Sequence, residues 1–384
     1  MSHNHSFDYT KEEYMWKEIK YSKEQINKAG ETIIKKSISE EERQQCLEVI
    51  DNWRAAHAFP MNTFAVNLKK KTGDRPGIIV VQRLKRLDTI VEKLERFPNM
   101  RLSRMQDLGG CRVILPKITD VYEIRDKILK SRIRHKLHNE KDYIQTPNPD
   151  TGYRGIHLIY KYKSDRNTRY NGLFIELQLR TSLQHLWATA VETVGMFTQS
   201  GLKFNQGEKE WLRFFQLVSC VFSVEEEKDK LKSFEDAKKH IAILEDLYAI
   251  LHDSALLKKL YTFAAATLVI DESNKPKDRY NREGYYLLEL DLGLKKLRVT
   301  FYSKNEKSAS IAIAKYMEIE AKKDPKVNAV LVSAKSLSAL KKAYPNYFAD
   351  IGTFIDKLLK YCAEQGYRCN EIVDRIKNTN NNLC

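Results

Sequence analysis

Two stretches of the chain decide the fold that the sequence predicts. They read Met105-Gln106-Asp107-Leu108-Gly109-Gly110-Cys111-Arg112-Val113-Ile114 and Leu173-Phe174-Ile175-Glu176-Leu177-Gln178-Leu179-Arg180. The second alternates between apolar and polar side chains, which is typical of a half-buried strand. The first predicts a strand over residues 111–115 that begins just after Asp107. A carboxylate therefore accompanies each strand, and paired carboxylates beside cations suit phosphate chemistry with a metal ion.

The polar residues of these strands admit two interpretations. Glu176 and Arg180 share the polar face of the second strand, and such a face is either simply wet or the wall of an active-site cleft. Arg112 is a charge inside an apolar strand, which is costly unless it is half exposed at a cleft or meets an anion. The residues alone leave both questions open.

The charge balance of the chain favours an anionic partner. Its 384 residues, enough for two domains, include 66 Lys and Arg against 51 Asp and Glu, a formal charge of +15. This excess indicates nucleic acid, nucleotide or a membrane surface, although solvated lysines alone would also produce it. No run approaches the ~18 apolar residues of a membrane span, and the N-terminus has no signal-peptide stretch. The six scattered cysteines are typical of free thiols, and we expect a cytoplasmic protein.

The N-terminal part predicts helices that lead into the first strand. Residues 11–52 have helical spacing and predict two helices broken near Gly30. Another helix is predicted over residues 62–70, followed by a β-branched strand over residues 78–81. Residues 82–97 then predict a helix with one apolar face.

A different face of the helix predicted over residues 82–97 has the composition of a phosphate site. Lys85, Thr89 and Lys93 recur at intervals of four residues, and Arg83 lies at the helix entry. Ammonium and hydroxyl groups beside a helix N-terminus suit a triphosphate. A solvated face is the commoner meaning of such a row, so the pattern is weak by itself.

Residues 125–141 form the densest basic segment of the chain. They predict contacts with a nucleic-acid backbone. The candidates for these contacts are Lys130, Arg132, Arg134 and Lys136.

The C-terminal half predicts helices followed by a small α+β module. Residues 206–265 are helical in pattern, and the module comprises strands over residues 285–291, 296–302 and 329–333 with a helix over residues 308–322. No Cys or His occurs between Ala266 and Pro345, which excludes a zinc finger there. A tail helix over residues 351–360 is predicted to dock the module back onto the rest.

The chain resembles the synthetase domain of the RelA/SpoT alarmone synthetase family over about residues 78–195. Five motifs of that family occur in order: Arg83-x-Lys85, Asp107 to Arg112, Asp142-Tyr143-Ile144, Gly152-Tyr153 with His157, and Glu176-x-Gln178-x-Arg180-Thr181 before Trp187. The family transfers the β,γ-pyrophosphate of ATP to a ribose 3′-hydroxyl and releases AMP. The resemblance implies an α+β fold whose mixed β-sheet, nucleotidyltransferase-like synthetase domain is flanked by helices.

The resemblance also implies roles for residues on the ATP side of the site. Arg83 and Arg112 would flank the adenine. Lys85, Thr89 and Lys93 would hold the ATP phosphates.

Further roles are implied for the metal and for the acceptor. Asp107 would bind Mg²⁺, and Glu176 would help to hold the metal or take the proton of the attacking hydroxyl. Tyr153 would stack on the acceptor base. The other acceptor-binding candidates are Arg154, His157, Gln178 and Arg180.

The layout of the whole chain is similar to the fused toxic small alarmone synthetases, the CapRel-like proteins. In that family a toxin domain modifies the 3′-CCA end of tRNA, and a C-terminal pseudo-zinc-finger module restrains it until a phage capsid protein binds. Tyr344 and Tyr347 match the family's Tyr-x-x-Tyr neutralisation motif, which blocks the ATP site, although packing is the usual role of such a pair.

This layout divides the chain into four parts. The expected domains are the synthetase over residues 1–205, a helical connector over 206–265, the sensor module over 266–343, and the neutralisation motif with anchoring helices over 344–384. We expect a monomer without membrane contact.

Three functions fit these observations. The leading prediction is an autoinhibited pyrophosphotransferase that acts on the tRNA 3′ end. It is favoured by the dense basic segment and by the turn over residues 147–155, which lacks the Lys and Ser usual in alarmone synthetases. The alternative is a synthetase of (p)ppGpp or (p)ppApp. The third is a catalytically silent RNA-binding module, which would have no use for Asp107 and Glu176 together.

Overall fold

The structure, a computed structural model, describes residues 16–198, 200–227, 233–253, 256–265, 269–271, 283–291, 293–294, 296–322, 324, 326–344 and 351–367. The strands are β1 (Ile79–Leu84), β2 (Gly109–Leu115), β3 (Lys136–Asp142), β4 (Ile156–Lys161), β5 (Phe174–Thr181), β6 (Val269–Asp271), β7 (Gly284–Asp291), β8 (Lys296–Ser303) and β9 (Val327–Ala334). The helices are α1 (Lys23–Ile33), α2 (Glu40–Ala56), α3 (Ala58–Thr72), α4 (Leu87–Arg96), α5 (Ile118–Leu129), α6 (Ser182–Phe197), α7 (Lys209–Glu226), α8 (Phe234–Asp253), α9 (Leu256–Ala265), α10 (Glu306–Ala321), α11 (Leu337–Ala343) and α12 (Gly352–Glu364).

The strands in the described part of the chain form one mixed sheet, which confirms the predicted α+β class. The strand order is β3-β4-β5-β2-β1-β9-β7-β8-β6. β2 and β5 are parallel, whereas β1 pairs antiparallel with both β2 and β9. The strands of the C-terminal part therefore extend the sheet that holds β2 and β5.

The three largest apolar cores among the described residues hold the layers together, and a fourth, smaller one packs α10 against β7 and β9. The first lies between the sheet of β1, β2, β4 and β5 and the helices α1 to α5. The second is formed by α6, α7, α8, α9 and α12. The third lies where Val81 and Ile114 meet β7, β8, β9 and the end of α11.

The predicted break near Gly30 is wrong. Gly30 lies inside α1, and the chain turns over residues 34–39 instead. The stronger local signals are two serine N-caps: Ser22 and Ser39 each accept a backbone hydrogen bond in a capping box. Such boxes set the start of a helix, whereas one glycine costs a helix interior only about 1 kcal/mol.

The helix predicted over residues 82–97 begins too early. β1 continues to Leu84 because its residues 82–84 pair with residues 109–111 of β2, and α4 starts only at Leu87. Lys85 therefore precedes the helix and does not lie on one helical face with Thr89 and Lys93. Pairing with a distant strand overrides the local helical pattern.

The alternation over residues 173–180 is confirmed. The even-numbered Glu176 and Gln178 are half-buried in β5, whereas Leu177 and Leu179 are buried. Part of the basic segment forms β3, a strand that the sequence did not predict. β3 is an edge strand with exposed side chains, and such a strand has little apolar alternation to reveal it.

The predicted elements of the C-terminal part are also present. β7, β8, β9, α10 and α12 correspond to the expected strands and helices. The four cysteines that the structure describes, Cys46, Cys111, Cys220 and Cys362, are thiols outside any disulfide, as expected. No helix among the described residues has both the length and the apolar character that crossing a membrane requires.

Candidate active site

A polar pocket opens at the ends of β1, β2 and β5. Its volume is about 100 Å³, which is small beside the ~300–1,000 Å³ of a typical ligand site. It is lined by Val81, Arg83, Lys85, Asp107, Gly110, Cys111, Arg112, Glu176, Gln178 and Tyr344.

Two lysines hold Asp107 on one side of the pocket. Lys85 Nζ lies 2.8 Å from Asp107 Oδ2, and Lys93 Nζ lies 2.9 Å from Oδ1. Burial would raise the pKa of the Asp107 carboxyl, but the two ammonium groups outweigh it and hold this pKa well below its usual range. Burial also lowers the pKa of Lys85 more than Asp107 raises it. Asp107 is therefore an ionised carboxylate among cations.

Glu176 lies on the neighbouring strand and is held by its own donors. His157 Nδ1 is 2.9 Å from Glu176 Oε1, and Gln178 Nε2 donates to Oε2 over 2.7 Å. Burial raises the pKa of Glu176, but the imidazolium of His157 outweighs it and lowers this pKa. The charge of Asp107 opposes that ionisation, so the two carboxylates are close enough to interact.

The hydrogen bonds continue from His157 away from the carboxylates. The hydroxyl of Tyr153 is 2.6 Å from His157 Nε2, and Arg180 Nε donates to the same hydroxyl over 3.0 Å. Burial would lower the pKa of His157, but Tyr153 and Glu176 raise it to about 9. Arg180 also donates from Nη2 to Gln178 Oε1 over 3.1 Å. These four residues and Glu176 form one connected polar network.

Gly110 lets β2 approach Glu176 closely. It stands beside Glu176 in the parallel register of β2 and β5. A Cβ atom at this position would lie 3.2 Å from the Glu176 carbonyl oxygen, a tighter approach than most side chains tolerate. The glycine therefore allows the close packing of β2 against β5 at Glu176.

Arg112 crosses the floor of the pocket and meets Tyr344. Its guanidinium carbon is 5.9 Å from the centre of the Tyr344 ring, within the range of a cation–π contact. Burial, and next the charge of Arg180, lower the pKa of Arg112 to about 10. Arg112 Nε donates to Gln178 Oε1 over 3.4 Å. The charge inside the strand is therefore explained by a polar cleft.

The structure brings most of the predicted site residues together. Arg83, Lys85, Asp107, Arg112, Glu176, Gln178 and Tyr344 line the pocket, with Lys93, Tyr153, His157 and Arg180 bonded to them. Thr89 is buried on α4 and is not among the lining residues. Tyr347 lies outside the described residues.

Arg154 and the basic segment lie elsewhere. The guanidinium of Arg154 is buried against Glu226 and Glu227 of the C-terminal half, so it does not reach the pocket. Lys130, Arg132, Arg134 and Lys136 are exposed near or on the edge strand β3. Arg134 forms an ion pair with Asp165.

The sequence analysis did not predict a buried ion pair near Lys85. This ion pair lies on the side of the pocket where the resemblance implies ATP, which we call the donor side. Arg54 lies 2.5 Å from Glu320 of α10, and its Nη1 also donates to the Lys85 carbonyl over 3.3 Å. The other carboxylate oxygen of Glu320 accepts from the backbone N–H of Leu87 over 3.2 Å. The available signal was an arginine between apolar residues in a helix, but its partner is 266 residues away.

The carboxylates fit a magnesium ion that is shared with a substrate. Mg²⁺ is usually bound by one or two carboxylates together with substrate phosphates and water. Asp107, just before β2, and Glu176, on the neighbouring strand β5, meet that requirement. Groups of three or more His, Cys, Asp or Glu that would enclose a metal by themselves do not occur in the part of the chain that is described.

Comparison with known proteins finds a family model and relatives that are similar to the part of the chain that holds this site. A family model described as "Region found in RelA / SpoT proteins" matches residues 82–197. The chain is similar to GTP pyrophosphokinase YwaC of Bacillus subtilis, with 33% identity over 122 residues, which are 30% of this chain and 57% of YwaC. The chain thus spans just over half the length of that relative. GTP pyrophosphokinase YjbM of the same organism is 26% identical over 159 residues, which are 41% of this chain and 72% of YjbM.

A solved structure is also similar to this chain. The crystal structure of small alarmone synthetase 2 from Bacillus subtilis is 25% identical, with a TM-score of 0.38 over 47% of this chain and 94% of that one. The family match includes Arg83, Asp107 and Glu176. Residues 82–197 of the chain are therefore similar to the region found in RelA/SpoT proteins.

Proposed function

We propose that the chain is an ATP-dependent pyrophosphotransferase. It would move the β,γ-pyrophosphate of ATP to a ribose 3′-hydroxyl and release AMP. The observation that carries this proposal is the pairing of Asp107 with Lys85 and Lys93 beside Glu176 on the neighbouring parallel strand. Phosphoryl transfer depends on positioning and on neutralised charge, and this arrangement supplies both.

The reaction assigns a task to each side of the pocket. The hydroxyl oxygen attacks the β-phosphorus, the bond from that phosphorus to the α-phosphate oxygen breaks, and AMP leaves with this oxygen. Lys85 and Lys93 stabilise the phosphate charge, while Arg83 and Arg112 hold the adenine. Mg²⁺ held by Asp107 and Glu176 would neutralise the phosphates further.

Besides holding the metal, Glu176 would take the proton of the attacking hydroxyl. Each of its oxygens accepts one hydrogen bond in the structure, from His157 or from Gln178. A carboxylate oxygen can accept two, so capacity remains for the hydroxyl. Tyr153 would stack on the acceptor base once the pocket opens.

The acceptor we favour is the 3′ end of tRNA. Edge strand β3 begins at Lys136 and ends at Asp142, and its Lys141 stands opposite His157 of the polar network. From Lys136 to Lys141 the strand spans roughly 17 Å, at about 3.4 Å per residue. Exposed cations there and at Arg132 can follow the backbone of a nucleic acid into the pocket.

A guanosine nucleotide is the second candidate acceptor. The observation that favours it is the name of the two relatives, both GTP pyrophosphokinases. For this acceptor the exposed cations at β3 would have no specific role. The two candidates therefore differ in whether those cations matter.

The restraint we propose is closure of the donor side by Tyr344. Its side chain is buried, it lines the pocket, and its ring faces Arg112, which we expect to flank the adenine. The cavity of about 100 Å³ is too small for ATP in this arrangement. The C-terminal part would act as an antitoxin, and a phage capsid protein would release it, so that translation stops in the infected cytoplasm.

The test is a transfer assay with the Tyr344→Ala/Tyr347→Ala protein. It is incubated with γ-labelled ATP and either bulk tRNA, GDP or GTP, and Asp107→Asn in the same background is the control. We expect label on tRNA that Asp107→Asn reduces by at least about 10²-fold, the loss typical of removing one charge-stabilising group.

The other outcomes decide between the candidates. Label on GDP or GTP would transfer the proposal to alarmone synthesis. Transfer that survives Asp107→Asn would remove the metal-site assignment. Equal transfer by the unaltered chain would show that Tyr344 does not close the site.

A further inference from the structure

The loop that carries Tyr153 is fastened to helix α7 of the C-terminal half. Gln216 Nε2 donates to the Asp150 carbonyl over 2.6 Å, and the hydroxyl of Ser219 donates to the Gly152 carbonyl. Gly152 has φ of +77°, and a Cβ atom there would lie 3.0 Å from the Cβ of Ser219. The backbone of this loop therefore packs directly on α7, with no room for a side chain between them.

Arg154 attaches the end of the same loop to α7 through a buried ion pair. Its Nη1 lies 2.5 Å from Glu226 Oε2, and its Nη2 lies 3.0 Å from Glu227 Oε1. The Arg154 and Glu226 side chains are only 4% and 7% exposed. A buried charge without a partner strongly destabilises the fold, so Arg154 and Glu226 must stay paired.

Glu226 binds two further groups at the end of β5. Its Oε1 accepts from the Thr181 hydroxyl, and its Oε2 accepts from Gln184 Nε2 over 3.1 Å. Thr181 is both the last residue of β5 and the N-cap of α6. One carboxylate on α7 therefore joins the Tyr153 loop, the strand that carries Glu176, and the start of α6.

Two of the partners of Glu226 directly follow, in sequence, the two residues that are hydrogen-bonded to each other at the Tyr153 hydroxyl. Arg154 follows Tyr153, and Thr181 follows Arg180, whose Nε donates to that hydroxyl. We propose that Glu226, acting through Arg154 and Thr181, is a positioning residue that fixes Tyr153 and Arg180 for the acceptor. This inference rests on the proposed transfer reaction and names the part of the chain that builds its acceptor side.

The consequence is that the acceptor side is completed by a helix outside the family region. The family match ends at residue 197, whereas α7 spans Lys209–Glu226. The donor cations Lys85 and Lys93 are instead held by Asp107. Loss of Glu226 should therefore affect the acceptor and leave ATP binding in place.

The experiment compares Glu226→Gln with Glu226→Asp and with the control Glu210→Gln. Glu210 is an exposed glutamate on the same helix, so the control removes a charge without touching the loop. All variants are made in the Tyr344→Ala/Tyr347→Ala chain. We measure KM for ATP and for the acceptor, and amide hydrogen exchange over residues 148–157 and 85–96.

We expect Glu226→Gln to raise the KM of the acceptor about tenfold, the effect of losing about 1.4 kcal/mol of binding, with less than a twofold change for ATP. Exchange should quicken over residues 148–157 and stay unchanged over 85–96. Glu226→Asp should recover part of the loss, and Glu210→Gln should behave like the parent. Equal changes in both KM values, or faster exchange without a change in acceptor KM, would overturn the proposal.

A second variant protects the experiment against misfolding. Gln216→Ala removes only the bond to the Asp150 carbonyl, from a half-buried side chain, and should show a smaller effect in the same direction. If the parent transfers label to no acceptor, the transfer proposal fails. The exchange result then still shows whether Glu226 fixes the loop, and unchanged exchange over residues 148–157 sinks the positioning role by itself.

Discussion

The C-terminal half contacts the two sides of the pocket in different ways. On the donor side, β9 pairs with β1 at only two positions, Gln82 with Ser333 and Arg83 with Val332, and the Arg54–Glu320 ion pair lies beside them. On the acceptor side, α7 belongs to a large apolar core with α6 and binds the Tyr153 loop. The first contact joins two sheet edges over the smaller core that contains Val81 and Ile114, whereas the second is part of the larger core of α6, α7, α8, α9 and α12.

This difference indicates how the C-terminal half can close the donor side and later release it while the acceptor side stays folded. A sheet extension with few paired residues can separate while the two larger cores stay intact, because each edge strand can be solvated afterwards and, of the first half, the third core includes mainly Val81 and Ile114. The helical contact cannot separate without exposing the apolar side chains of α6 and α7. Release of the donor side would therefore leave the acceptor side formed.

The largest effect is expected for the contact of the C-terminal half with the donor side, where Arg54 pairs with Glu320. Glu320→Gln leaves the buried Arg54 with Asp51 as its remaining charged partner, and breaking a buried pair typically costs about 3–5 kcal/mol. We expect faster amide exchange in β9 and α10, tighter binding of a non-hydrolysable ATP analogue, and unchanged exchange in α7. The control is Glu318→Gln on the same helix. The Glu318 carboxylate is exposed and forms ion pairs with Lys315 and Lys322.

Two outcomes would contradict this prediction. If Glu320→Gln quickens exchange in α7 as much as in β9, the two contacts form one cooperative unit and the comparison fails. If Glu318→Gln has the same effect as Glu320→Gln, the charge of α10 matters and the buried pair does not.

A smaller effect is expected at the basic edge. In the Tyr344→Ala/Tyr347→Ala chain, Arg132→Ala/Lys136→Ala should weaken transfer to tRNA about three- to tenfold and leave transfer to GTP unchanged. The slope of log affinity against log salt should fall by roughly 1.4, at about 0.7 per contact with a single strand. Lys360→Ala, an exposed cation on α12, is the matched control. An unchanged salt slope would remove β3 from the acceptor path.

Much of the fold and the pocket could be predicted because the signals are local. The alternation in β5 places Glu176 and Gln178 on one face, and the glycines of β2 mark a close approach to a neighbouring strand. Lys85 was assigned to the phosphate site although its helix was predicted wrongly. It still reaches Asp107, because the strand that replaces the helix ends beside the same carboxylate.

The contacts between the two halves could not be predicted in the same way. Glu320 and Glu226 are ordinary glutamates in helical segments, and nothing in their neighbourhood marks them as buried. Their roles come from pairing with Arg54 and Arg154, which lie far away in sequence. The resemblance implies an acceptor role for Arg154, but its side chain is buried against Glu226 and Glu227.

The last prediction uses pH to separate the two sides. The pKa of His157 is raised from 6.5 to about 9, so its stabilising contribution is complete below pH 6.5 and is lost as the pH rises through about 9. The pKa of Asp107 is lowered from 3.8, so its contribution is complete above pH 3.8 and is lost as the pH falls below that value. The acceptor side should therefore loosen in alkali and the donor side in acid.

The measurement is Tm against pH for His157→Gln, Asp107→Asn and the unaltered chain. A hydrogen bond to a charged group contributes about 1.5–3 kcal/mol, which corresponds to roughly 3–10 °C in Tm for a domain of this size. We expect His157→Gln to have the lower Tm at pH 6 and to converge with the unaltered chain near pH 9.5, and Asp107→Asn to converge only at acid pH. His252→Gln, at an exposed histidine, is the control. If the Tm of His157→Gln stays below that of the unaltered chain by the same amount at every pH, the imidazole binds Glu176 in its neutral form. The acceptor side would then not be destabilised by alkali through His157.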